Sequence, residues 1–213
     1  MWIVKLIPSR ILSLQARKPS GLIGRFVMSK IFNSGNADLN AFVKECLVLE
    51  SKDRVLEIGF GPGKLINEMA NITTDGAVEG VDFSKAMFNQ AKKVNAGHIS
   101  LGRVLLHECE CSSLPFEDDV FNKLCSTNTL YFWKKPEDYF SEMFRVLRPG
   151  GKVVIGFRDD EQMSNLNLSE DIFSSFSKNN VINLLSSAGF QDVQIKEKEG
   201  VPFVSYCGVA TKA

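Results

Sequence analysis

Residues 55–63 read Val55-Leu56-Glu57-Ile58-Gly59-Phe60-Gly61-Pro62-Gly63. The short apolar run Arg54–Ile58 enters a turn with glycine at every second position, and a run bounded in this way reads as a buried strand. The glycines let the backbone turn sharply and approach a ligand with no side chain between. The spacing is G-x-G-x-G. Lys64 stands where a dinucleotide fingerprint, G-x-G-x-x-G, has its third glycine. A nicotinamide or flavin site is therefore disfavoured, and the chain has no G-x-x-x-x-G-K-[ST] phosphate loop. Glu57 points the same way: its charge would repel a pyrophosphate and attract a cationic amino group.

Outward from this turn, strand-like and helix-like segments alternate. Lys64–Asn71 reads as a helix, Ala77–Val81 as the next strand, and Ser84 as the N-cap of a helix over Lys85–Asn95. Gly102–His107 and Val120–Ser126 are the third and fourth strands. Pro136–Leu147 is a helix with Tyr139, Phe140, Met143, Phe144 and Leu147 on one face and proline in its first turn. Pro149-Gly150-Gly151 is a turn signal before a fifth strand, Lys152–Phe157. Asp159–Leu168 is loop-like. Ser177 or Asn179 caps a helix running to Ala188, which Gly189 stops. Gln191–Glu197 and Val201–Val209 form a final hairpin about Glu199-Gly200. Alternation of this kind predicts an α/β fold, a mostly parallel sheet with helices on both faces. Residues 1–50 do not fit it and read as an N-terminal helical cap, with Leu22–Phe32 and Ala37–Leu47 as helices, ahead of one compact domain over 51–213.

In open parallel sheets ligands bind beyond the carboxyl ends of the strands, where strand order reverses. Asp82 ends the second strand, and an acid there accepts hydrogen bonds from both ribose hydroxyls. Glu110-Cys111 follows the third strand, where a carboxylate and a neighbouring amide suit the exocyclic amine and ring of adenine. Adenine, ribose and a cationic amino-acid tail, without phosphates, describe S-adenosylmethionine (SAM).

Four ordered motifs carry a resemblance. Val55–Gly63, Gly80-Val81-Asp82-Phe83-Ser84, Leu114-Pro115-Phe116 and Arg145-Val146-Leu147-Arg148-Pro149-Gly150-Gly151 resemble the successive motifs of class I SAM-dependent methyltransferases. Within these the chain is most similar to the methyltransferase type 11 group, which includes quinone-biosynthesis methyltransferases. The likeness covers roughly residues 50–160. It implies a Rossmann-like seven-stranded sheet in the order 3-2-1-4-5-7-6 with strand 7 antiparallel, SAM as cofactor with S-adenosylhomocysteine (SAH) as product, and no metal. Carried onto this chain, Glu57, Gly59, Gly61 and Gly63 border the methionine part. Asp82 holds the ribose, Glu110 and Cys111 meet the adenine, and Phe83 and Asn128 complete the cofactor set. Two positions depart from the family: Glu110 stands where Asp is more usual, and Asn122 where Asp is usual in Phe-Asp-x-Val.

Methyl transfer from a sulfonium is a direct displacement that depends on placing the acceptor in line. Asn128-Thr129-Leu130-Tyr131 stands where nucleobase and glutamine amino-methyltransferases carry [DN]-P-P-[YF], which disfavours those substrates. Tyr131 and Trp133 are expected to line an apolar or aromatic acceptor pocket, quinone- or lipid-like, to which Arg25 of the cap contributes. His107 and Tyr131 are the candidates for proton transfer.

The composition is that of an ordinary globular chain, with 44% hydrophobic and 23% charged residues and zero formal net charge, so charge gives no argument for nucleic acid. The first 37 residues contain no acid while Lys5, Arg10, Arg17, Lys18, Arg25 and Lys30 are basic. Peripheral membrane contact through this segment, and a transit peptide, are open alternatives for it. Five irregularly spaced cysteines read as reduced thiols rather than a disulfide framework, and Cys109-x-Cys111 lacks the second pair of a zinc site. With no apolar run near the length of a bilayer span and no secretory cleavage pattern, the expected setting is cytoplasmic, as monomer or homodimer. SAM binding without methyl transfer, and a macromolecular acceptor, remain as alternatives.

Overall fold

The protein, seen in a computed structural model, is described at Arg10, Leu14, residues 36–164, Ser169, and residues 171–200 and 203–213. Seven strands, β1 (Arg54–Ile58), β2 (Ala77–Asp82), β3 (Val104–Glu108), β4 (Phe121–Thr127), β5 (Leu147–Phe157), β6 (Gln191–Lys198) and β7 (Ser205–Thr211), form one sheet in the order β3-β2-β1-β4-β5-β7-β6. β1 to β5 are parallel, and β7 runs antiparallel to both β5 and β6. This is the topology the resemblance implied. The helices among the described residues are α1 (Ala37–Leu47), α2 (Lys64–Ala70), α3 (Lys85–Val94), α4 (Ala96–Ser100), α5 (Pro136–Val146), α6 (Asp160–Ser164) and α7 (Lys178–Ser187).

Successive residues of a strand face opposite sides, and each side has its own core. Leu56, Ile58, Val81, Leu124, Val153 and Ile155 pack with Phe140 and Met143 of α5 and Val181 and Leu185 of α7. Val55, Val78, Cys125 and Val154 pack with α1, with Leu65, Ile66 and Met69 of α2, and with Ala91 of α3. Each such side chain contributes about 1.5–3 kcal/mol on burial. β1 is covered on both faces, so Val55, Leu56, Glu57 and Ile58 are all buried instead of alternating with exposed positions.

Several boundaries move. β5 begins at Leu147, not Lys152, and takes in the expected Pro149-Gly150-Gly151 turn. Gly150 keeps a left-handed φ of 75°, but its amide donates to Lys212 O at 2.7 Å and the Lys212 amide donates to Gly151 O at 3.0 Å. Pairing with the chain's last residues thus turns the glycines into a bent strand entry. β7 begins at Ser205, after Phe203 and Val204; Val201 and Pro202 of the expected strand lie outside the described residues. Asp160–Ser164 is a helical turn within the expected loop, started by Asp159 Oδ1 accepting the Gln162 amide at 3.1 Å. Ser177 caps α7 in a reciprocal capping box with Asn180. All five cysteines are free.

Residues 37–47, expected as part of the cap, lie on the sheet itself: Leu39, Val43 and Leu47 are fully buried in the second core. The segment Leu22–Phe32 and Arg25 lie outside the described residues. No helix among the described residues is long and apolar enough to cross a membrane.

Candidate active site

The site begins where β1 ends. Glu57 pairs with Gly80 on one side and Cys125 on the other, which buries it in the middle of the sheet on the α2 side. A hydrogen bond from the Ile66 backbone reaches the carboxyl group, taking up one of the unpaired amides in the first turn of α2. Oε2 has no hydrogen-bond partner among the described residues. Burial raises the pKa of Glu57 to about 8, with the charges of Asp82 and Glu68 adding to the effect. A buried carboxylate oxygen without a donor is costly, and an ammonium group is the donor that fits it.

The three glycines of the turn serve different ends. A Cβ on Gly59 would stand 2.3 Å from Thr129 Cγ2, and one on Gly63 would stand 2.6 Å from Ala91 Cβ. These two are required by packing of the β4 loop and of α3. Gly61 has a φ of +53° and nothing within 4 Å of a would-be Cβ, so it is the glycine that faces open space. The turn is therefore open at Gly61, whose amide donates to Asp82.

Asp82, at the end of β2, lies on the same face as Glu57, because Glu57 pairs with Gly80 two residues earlier. Its Oδ2 accepts the Gly61 amide and its Oδ1 the Ser84 amide, both at 2.8 Å. Burial raises its pKa to about 6 against the lowering effect of those two bonds. Each oxygen keeps a lone pair for a further donor, as ribose requires. Beyond β3, Cys111 is buried with the Gly59 backbone amide directed at its sulfur, while Glu110 is exposed. Phe83 is half-buried beside Asp82.

The loop carrying Glu110 and Cys111 is held from α5, which the sequence did not reveal. Arg145 donates to Leu114 O at 3.2 Å and to Phe116 O at 2.7 Å. Glu142 accepts the Leu114 amide at 2.7 Å and both a Nε and a Nη2 bond from Arg145, each 2.7 Å.

Three expectations change. His107 pairs with Val81, so it faces the opposite side of the sheet from Glu57 and Asp82. There it meets Glu79 Oε2 at 3.0 Å and the edge of Phe116. Tyr131 is buried in the first core. Its hydroxyl lies 3.1 Å from Arg158 O and 3.2 Å from Asn128 Oδ1 and accepts the Arg158 amide. Burial raises its pKa, so it stays protonated and braces the ends of β4 and β5. Trp133 is buried and stacked on Tyr139 at 4.6 Å, a core position rather than a pocket wall. Asn128 does reach the rim: it adopts a left-handed φ of 55° and donates from Nδ2 to Asn36 Oδ1 at 2.7 Å. Asn122 lies at the far end of the sheet, where its side chain donates to Asp53 and accepts the Arg54 amide. An Asp at this position would set two carboxylates face to face.

The Methyltransferase domain family matches residues 56–155. An uncharacterized methyltransferase of Bacillus subtilis is 28% identical over 182 residues, covering 85% of this chain and 96% of the relative. The ubiquinone/menaquinone biosynthesis C-methyltransferase of Geobacter sulfurreducens is 33% identical over 112 residues, covering 52% of this chain and 44% of the relative. The crystal structure of a SAM-dependent methyltransferase from Aquifex aeolicus superimposes with a TM-score of 0.72 at 20% identity, covering 88% of this chain and 98% of that one. The chain therefore belongs to the Methyltransferase domain family, as a class I SAM-dependent methyltransferase.

Proposed function

We propose that the chain binds SAM with its ammonium group on Glu57 Oε2, its methionine part along Gly59, Gly61 and Gly63, its ribose on Asp82 beside Phe83, and its adenine against Cys111 and Glu110. The methyl group then passes to a small-molecule acceptor with an apolar or aromatic body lying beyond β4, near Asn128. The observation that carries this reading is the buried oxygen of Glu57 that has no partner among the described residues, at the end of the strand that enters a turn open at Gly61.

Bound there, SAM supplies an electrophilic methyl group on a sulfonium. The chain's own part is placement and exclusion of water. Glu57 and Asp82 fix the two ends of the cofactor, and the Arg145–Glu142 pair sets the adenine-side loop. Phe132 and Phe173, both half-buried with ring centroids 4.7 Å apart, offer apolar surface next to the rim. His107 faces away and Tyr131 is tied to the backbone, so neither is assigned a proton-transfer role.

Calorimetry with SAM, SAH and NAD tests the cofactor. SAM and SAH are expected to bind, and Glu57→Gln to weaken both by roughly 30-fold or more, the cost of removing one partner of a buried charged pair. Binding of NAD without SAM would overturn the reading. A methyl-transfer screen over phenols, quinols, amines and lipids tests the acceptor class, and turnover only on a macromolecule would overturn it.

A further inference from the structure

A row of polar groups runs along the carboxyl-end rim of the sheet, on the face that carries Glu57. Strand register places them. Cys125 pairs with Glu57, Thr127 follows it on the same face and pairs with Gly156, and Arg158 lies two residues beyond. Thr127 is 8% exposed and its Oγ1 has no partner among the described residues. Arg158 is 7% exposed, and its Nη1 donates to Val204 O at 2.7 Å and Ser205 Oγ at 2.8 Å. The guanidinium makes no ion pair among the described residues. A buried guanidinium carries a desolvation cost that a carboxylate or phosphate partner ordinarily offsets.

The helix laid over this face ends at the same place. Lys152 Nζ donates to Cys46 O at 3.4 Å near the C-terminal end of α1. A Cβ at Gly156 would meet Val43 at 2.5 Å and Leu39 at 3.4 Å. α1 therefore runs antiparallel to β5, and its N-terminal end, with Asp38 in the first turn, arrives at Arg158. The N-cap, Asn36, makes no side-chain cap bond. Its Oδ1 instead accepts from Asn128, which together with Tyr131 fixes the floor beside Arg158.

Resting on the methyltransferase reading above, we infer that this rim is the acceptor subsite and that Arg158 binds a carboxylate carried by the acceptor. The guanidinium presents a planar fork that matches a carboxylate. Thr127 Oγ1 lies between this anion site and Glu57, within the span the acceptor must cross to reach the methyl group. A single guanidinium suits a monoanion better than a phosphate dianion, since the charge of Asp38 is also felt at Arg158 and Asp159 follows it in a buried position.

The test is calorimetric titration of the SAH-saturated full chain with benzoate, benzamide and phenyl phosphate. Benzoate is expected to bind saturably and at least about tenfold more tightly than benzamide, the difference of one charge-assisted contact. Arg158→Gln should remove that preference while SAH affinity moves less than about twofold. Equal binding of benzoate and benzamide, or no saturable benzoate binding, overturns the inference. Phenyl phosphate binding more tightly than benzoate overturns the choice of carboxylate. Loss of SAH affinity in Arg158→Gln assigns the guanidinium to the carboxylate of SAH itself and likewise overturns it. If that variant does not fold, Arg158→Lys and the Arg158 Nε–H resonance of the wild type under benzoate give the same readout. A wild type that binds no SAH defeats the methyltransferase reading; one that binds SAH and ignores benzoate defeats this inference alone.

Discussion

Glu57 has one oxygen satisfied by a helix amide and the other by nothing among the described residues. Its pKa of about 8 and the pKa of about 6 at Asp82 both lie above ordinary carboxylate values, which fixes the sign of two effects. The folded state holds these protons more tightly than the unfolded chain. These two groups therefore stabilise the free folded state at low pH, a contribution lost as pH rises through the ordinary carboxylate range up to about 8, while Glu79 and Glu142, held below the ordinary value by their cationic partners, contribute in the opposite sense. Ligand binding runs the other way, because an ammonium group requires Glu57 ionised. SAM affinity is expected to climb between about pH 6 and 8, approaching tenfold per unit, as one proton is released on binding. Calorimetry at pH 7 in buffers of different ionisation enthalpy reads that proton directly. Glu57→Gln should abolish the buffer dependence, and an affinity independent of pH would contradict the assignment. At this scale the sequence was legible where chemistry alone sufficed: an acid ahead of a glycine turn suits a cationic ligand whatever the rest of the chain does. It was not legible for His107, because one step along a strand reverses the face.

Among the elements, α5 carries a task its motif does not disclose. Arg145-Val146-Leu147-Arg148-Pro149-Gly150-Gly151 reads as the end of a helix followed by a turn. In the fold, Arg145 and Glu142 hold the backbone of Leu114 and Phe116, and Arg145 also pairs with Asp118 at 2.9 Å. Arg145→Leu leaves two carbonyls without that donor and Glu142 without its cation. The expected cost is about 1–3 kcal/mol, visible as a fall of several degrees in Tm. SAM affinity should fall further than adjustment for stability explains, because Glu110 and Cys111 lie on the loop so released. Arg145→Lys should recover part of the charge and little of the forked geometry. Unchanged SAM binding in a folded Arg145→Leu protein would show the loop to be held by other contacts. Element types were legible from periodicity and capping, as at α7, where Ser177 and Asn180 announce the helix start. Boundaries were not: whether Gly150 turns or pairs depends on Lys212, at the other end of the chain.

Across the whole molecule, one sheet serves two cores, and both rest on the same backbone hydrogen bonds. Damage to either face is therefore expected to unfold the unit together. Phe140→Ala, in the first core, should cost about 3–5 kcal/mol. Its far-UV dichroism and tryptophan fluorescence should move to lower urea together, with SAH affinity of the remaining folded protein unchanged. Separated transitions would show that the two faces unfold independently. The sequence by itself determined the alternation of strand and helix, the glycine turn, and the acids at the ends of the first two strands. These follow from local periodicity and from charge, which need no knowledge of what lies opposite. Only the tertiary structure decided that α1 is part of the core and that Tyr131 and Trp133 are interior. It alone showed that Gly59 and Gly63 answer to packing while Gly61 faces open space, and that Arg158 stands at the rim without an ion-pair partner among the described residues. Those facts depend on strand register and on helices brought across the sheet from distant parts of the chain, where burial is set by neighbours that no local pattern encodes.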